Sequence, residues 1–215
     1  MKNYKSADMI FRQRENDPQE AFASAFFRNP MLVTAAGANL IAGGCITLSN
    51  GIIMTLLLLI LLPLTGLAAS SLKERVSQRI RPAVFAAGCA AIMLALALAC
   101  NAVSSGSADA LGVFLPLTAL DTLVFIRLVR NSPEMTAGEG LAAGAGTACA
   151  FAILALPIAF LRGLIGGGLF FGQYAFDGIR ALQSPFFGFI VCGAALAVFR
   201  RFAMTGAPVR EDDEE

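Results

Sequence analysis

Apolar residues in this chain form long continuous runs, with neither strand-like alternation nor a helical stripe, and short polar stretches separate the runs. Six runs are legible: residues 31–49, 51–71, 82–103, 111–130, 141–162 and 185–200. An α-helix needs roughly 20 residues to cross a bilayer, so the pattern predicts an all-α membrane protein with six transmembrane helices. The first run is weak, with Gly37, Asn39, Gly43, Gly44 and Ser49 among its apolar residues, and the last is short. The fourth run, "GVFLPLTALDTLVFIR", carries Pro116 and Asp121 inside it. Glycine and proline weaken a helix from within, so runs one and four are expected to be interrupted, at Gly37 and at Pro116. If the runs divide three and three, these two are equivalent members of opposite orientation. Inverted-repeat membrane proteins use such interrupted helices to bring a site to the midplane.

Composition agrees with the runs. Hydrophobic residues make up 57% of the 215 residues and charged residues only 14%, where a soluble domain carries about 25% charged. Three regions follow: a cytoplasmic N-terminal segment, 1–28, a six-helix membrane domain, 29–202, and an acidic cytoplasmic tail, 203–215. Residues 1–28 mix Lys, Arg, Asp and Glu and so do not read as a signal peptide. Within "NDPQEAFASAFFRNP", Asp17 can cap a helix that starts at Pro18, with Phe22 and Phe26 on one face. That predicts a short helix lying at the cytoplasmic interface. The tail "REDDEE" reads as a solvated acidic end.

Charge placement sets the orientation. Of the 16 Lys and Arg residues, only Arg162 and Arg180 fall in the alternate set of connections. The others lie in the N-terminal segment, in "KERVSQRIR", at Arg127 and Arg130, and at the C-terminal end. The positive-inside rule then puts both termini in the cytoplasm of a multi-pass bacterial inner-membrane protein, with the connection 163–184 outside.

Candidate chemistry is sparse. The chain has no histidine, which rules out Ser-His-Asp and Cys-His nucleophiles. Cys45, Cys89, Cys100, Cys149 and Cys192 are scattered singly, without C-x-x-C spacing, so no locally spaced metal site is expected. A Cys45–Cys100 disulfide is conceivable from their outer positions alone. The glycines of "RGLIGGGLFFG" lack the Lys-Ser/Thr of a phosphate loop, and no nucleic acid partner is expected. Small residues such as Gly140, Gly144 and Ala148 suit close helix packing in lipid. The remaining polar candidates are Asn39, Asp121 and its neighbour Thr122, near the midplane. A carboxylate there costs about 2.5–3.5 kcal/mol on insertion scales, so it should face protein or water.

The stretches "NPMLVTAAGANLIAGG", "LGVFLPLTALDT", "EGLAAGAGTACAF" and "LRGLIGGGLFFG" resemble, in order and spacing, the integral-membrane subunits of Rnf and Nqr complexes. The likeness runs over roughly residues 28–200 and is greatest to the E subunit of Rnf and the D subunit of Nqr. It implies six helices in an inverted three-plus-three repeat and a pseudo-symmetric membrane partner of the same family. It also implies flavin-carrying and ferredoxin-like subunits, and coupling of electron transport to Na⁺ or H⁺. A pair of such subunits holds a 2Fe–2S cluster between them. Here the two ligand positions align with Asn39 and Thr122, so the expectation is that this chain binds no cluster by itself. The family's Arg-Glu pair survives as Arg162-Gly163. The expected role is that of a membrane subunit of an ion-coupled electron-transport complex, at most a non-catalytic or electron-relay subunit. The alternatives are a small ion or proton transporter using Asp121, or a scaffold paralogue without redox function.

Overall fold

The computed structural model describes residues 18–27, 29–72, 75–77, 79–103, 106, 109–126, 135–167, 169–170, 173–174 and 179–205. Asp17 and the N-terminal basic residues, Arg127 and Arg130, and the acidic tail lie outside the described residues. Among the described residues, the regular structure is helical apart from one small antiparallel pair, Leu169–Phe170 with Gln173–Tyr174. In order, the helices are α1 (Pro18–Phe27), α2 (Pro30–Thr34), a π-helical turn (Leu40–Gly44), α3 (Leu48–Leu72) and α4 (Arg81–Val103). They continue with α5 (Phe114–Ala119), α6 (Thr122–Phe125), α7 (Ala137–Gly167) and α8 (Pro185–Thr205), with 3₁₀ turns at Asp109–Leu111 and Arg180–Gln183. Helices α3, α4 and α7 are long and apolar enough to cross a membrane, and shorter apolar helices lie at Phe114–Phe125 and Pro185–Phe199.

The centre of the bundle is the antiparallel pair α3 and α7. Lipid offers no hydrophobic drive between helices, so close approach depends on small residues. Gly66 stands against the Gly140 backbone, Gly144 against Leu62 and Pro63, and Gly51 against Ala159. A Cβ at Gly144 would lie 2.7 Å from the Pro63 Cα. Leu57, Leu58, Leu61, Leu62, Phe151 and Ile158 fill the interior around this seam. Leu56, Ile60, Leu94, Leu98 and Ile153 are exposed, as suits a surface that meets acyl chains. Neither Pro63 nor Pro157 interrupts its helix.

Helix α7 runs from Ala137 to Gly167, beyond both ends of the 141–162 run. Its start was hidden by polar residues that make a capping box. Glu139 Oε2 accepts the Thr136 N–H at 2.6 Å, and Thr136 Oγ1 accepts the Glu139 N–H at 3.4 Å. The sixth run is likewise a full helix of 21 residues. Helix α1 stands alongside the first turns of α7: Pro18 lies near Gly138, and Ala21 and Ala25 pack on Ala143 and Gly146. Phe22 and Phe27 remain exposed.

The contacts sort the helix ends into two groups. Pro18, Leu72 and Ala137 gather at one end, because Gly138 meets Pro18 and Gly140 meets Gly66. At the other end, Gly163 meets Thr47 and Leu48, Gly166 meets Gln183, and Asn50 bonds the Ala110 carbonyl. The basic connection after α3 therefore lies on the same side as α1.

Candidate functional site

Both interrupted runs break, and the breaks face each other. In the first, Asn29 caps α2 by accepting the Met31 N–H at 2.9 Å, while its amide donates to the Thr147 carbonyl at 3.1 Å. Asn29 is fully buried. It was readable as an N-cap before Pro30 at the first helical position. Ala35 then turns left-handed at φ 58°, and Gly37 at φ 86°. Only glycine takes the latter without strain. Past the break, the chain widens into the π turn, where the Cys45 N–H bonds to Leu40 O, five residues back, and to Ile41 O.

In the fourth run the interruption falls at Leu120–Asp121, not at Pro116. Pro116 sits in the first turn of α5, where its missing N–H would have had no helical partner. Asp121 is extended, at φ −65° and ψ 147°, and caps α6 by accepting the Leu123 N–H at 2.8 Å. The two segments cross antiparallel. A Cβ at Gly37 would come 3.2 Å from Leu123 Cδ2 and 3.6 Å from Asp121 Oδ1. Gly43 and Gly44, further along, leave room for Phe114.

The structure thus brings the side chains of Asn39 and Asp121 together, whereas Thr122 meets the Asp121 carboxyl only through its backbone N–H. The Asn39 side chain is a polar neighbour of the Asp121 carboxyl. It forms no cap of its own helix, and it completes no bond of good geometry to Asp121 Oδ2, which is buried and unpartnered. Thr122 is exposed. Below them, Thr118 donates to the Phe114 carbonyl at 2.7 Å.

The buried charge that sequence reasoning missed is Arg162. It reads as a charge of the outer connection, but it belongs to α7 and is 2% exposed. Its Nη1 donates to the carbonyls of Ile41, Ala42 and Cys45 at 3.1, 2.8 and 3.3 Å. Its Nε reaches Leu182 O at 3.2 Å, and Nη2 reaches Gln183 O and Ser184 O at 3.2 and 3.0 Å. No acid takes part. The guanidinium is neutralised instead by the carbonyl ends of two short helical turns, where the backbone dipoles leave partial negative charge. Gly188 allows the start of α8 to close over it, with Ala42 O 2.6 Å from the place of a Cβ. An arginine inside an apolar run was itself the signal that could have found it.

A 2Fe–2S cluster requires thiolates. The opposed breaks offer an amide and a carboxylate, hard donors that do not suit a soft cluster. Cys45 lies at the far end of the π turn, beside Arg162, and all five cysteines, Cys45 and Cys100 among them, are free thiols. Among the described residues, no three His, Cys, Asp or Glu side chains gather as a metal group. The residues present do not fit the cluster.

Comparison with known proteins adds the family. A family model described as "Rnf-Nqr subunit, membrane protein" matches residues 19–205. The E subunits of the ion-translocating oxidoreductase complexes of Escherichia coli (strain SMS-3-5 / SECEC) and Shigella flexneri serotype 5b (strain 8401) are 29% identical to this chain over 140 residues. The aligned region is 63% of this chain and 57% of those relatives, so the match spans little more than half their length.

Proposed function

Because this chain belongs to the Rnf-Nqr family of membrane subunits, we propose that it is an E-type membrane component of an ion-coupled electron-transport complex, without iron–sulfur ligands of its own. The observation that carries this reading is the pair of interrupted helices meeting at their breaks, with Asn39 and Asp121 and no thiol at the meeting point. The architecture of a redox subunit is kept while the soft donors are absent. The chain's part is then to complete the membrane assembly and to contribute a polar centre at the midplane.

Six crossings and an inverted three-plus-three repeat belong to the same proposal. Support comes from the packing. Runs two and five form the central pair, runs one and four cross, and the third run of each half packs on the interrupted run of the other. Exchanging the halves maps these contacts onto themselves. The partners are a pseudo-symmetric membrane subunit of the same family, flavin-carrying and ferredoxin-like subunits, and Na⁺ or H⁺. Both termini face the cytoplasm of a bacterial inner membrane.

The test is purification of the tagged full chain from its own cells in mild detergent, with mass spectrometry of what accompanies it. A second Rnf-Nqr membrane subunit and flavin-carrying subunits are expected. A lone monomer would sink the assembly reading. A stoichiometric 2Fe–2S resonance that vanishes on Cys45→Ala would sink the ligand-free part.

A further inference from the structure

The Asp121 carboxyl is 2% exposed, and its two oxygens have unlike surroundings. Oδ1 accepts the Leu123 N–H at 2.8 Å, a bond that the ionised carboxylate makes best. Oδ2 is buried with no hydrogen-bond partner. Among the described residues, no Lys or Arg pairs with it. Arg162, buried in the same bundle, gives all its guanidinium nitrogens to carbonyls at the outer end. A buried acid in a membrane bundle with an open oxygen calls for positive charge. The side chain beside it, Asn39, comes from the opposite break and is not used as a helix cap. An amide can present either its oxygen or its nitrogen.

The geometry points to a binding site for a monovalent metal cation of the Na⁺ class, held between Asp121 Oδ2 and the Asn39 amide oxygen where the two breaks meet. Hard oxygen donors select such ions over soft metals. One carboxylate balances one positive charge, and among the described residues no group of three or more His, Cys, Asp or Glu side chains gathers there as a divalent site would need. Interrupted membrane helices also free backbone carbonyls that complete a cation's shell. Thr122, exposed beside the break, is not a ligand. The inference concerns this chain alone and holds whether or not it joins the complex proposed above.

The test is thermal unfolding of the purified full chain in detergent, in NaCl, KCl and choline chloride at equal ionic strength. Na⁺ is expected to raise the midpoint above choline in a saturable way. Asp121→Asn, which keeps the Oδ1 acceptor for Leu123, should weaken the Na⁺ affinity at least 10-fold. Asn39→Ala should weaken it as well, and Thr122→Ala should leave it unchanged. Direct ²²Na⁺ binding to the wild-type chain, with one ion displaced by excess unlabelled Na⁺, gives the stoichiometry. Equal midpoints in all three salts, or Na⁺ dependence retained in Asp121→Asn, would overturn the site. If Asp121→Asn fails to fold, an unchanged Na⁺ response in Asn39→Ala overturns it. Stability that follows pH but not Na⁺ would replace the cation by a proton and overturn it too.

Discussion

Arg162 shows how a single side chain can organise a region without an opposite charge. Six backbone carbonyls from the π turn and from residues 182–184 converge on it. Truncation would remove this shared donor from all six, and among the described residues only Ile41 O and Ser184 O would keep a backbone N–H, from Cys45 and Gly188. Arg162→Ala is expected to destabilise the fold by about 3–5 kcal/mol, the range seen when one side of a buried charged network is removed. Arg162→Lys should recover only part of this, because an ammonium cannot match the planar fork of donors. Unfolding of the purified variants in detergent checks both. A loss under about 1 kcal/mol for the alanine variant, the size of one ordinary hydrogen bond, would show that the carbonyls find other donors.

Among the elements, what counts is which glycines lie in the helix seam. Gly66 and Gly140 stand where α3 and α7 touch backbone to backbone, and each would place a Cβ against the other's main chain. Gly88 of α4 has nothing within 4 Å of that position. Gly66→Ala or Gly140→Ala should therefore cost about 1–3 kcal/mol through overpacking. Gly88→Ala should be neutral, or stabilising by up to about 1 kcal/mol from helix propensity. Comparing the three in one unfolding assay separates packing from propensity. Equal effects would mean that the seam is looser than these contacts. The break in the second interrupted helix obeys similar logic. Pro116 does no damage in a first turn, whereas Asp121 offers its side chain to the Leu123 N–H and so starts a new helix.

For the molecule as a whole, the ends of the helices alternate. The α1 start, the described part of the basic connection after α3 and the α7 start share one side, and residues 47–51, 109–112, 163–167 and 179–185 share the other. With the Lys and Arg bias on the first side, a fluorescent protein fused after Glu215 should be bright, since it matures in the cytoplasm. An alkaline phosphatase fused after Asn101 should be active. The reverse pair of signals would invert the topology.

Apolar run length, charge bias and the absence of histidine were properties of composition and order. They sufficed for a helical membrane protein, for the two weak runs and for the polar candidates Asn39 and Asp121. Family likeness was legible because short glycine-rich and proline-containing stretches keep their spacing. Other features depended on partners distant along the chain. Arg162 looked like a loop charge because its acceptors lie 20 to 22 and 117 to 121 residues away. The place of the fourth-run break could not be read from Pro116, since a proline's cost depends on whether its position needs a donor. That Asn39 approaches Asp121 while Thr122 turns outward was decided only by the crossing of two broken helices. A one-residue change in where a helix restarts rotates a side chain by about 100°, and local sequence does not specify that rotation. Packing against Leu123, Gly37 and Phe114 does.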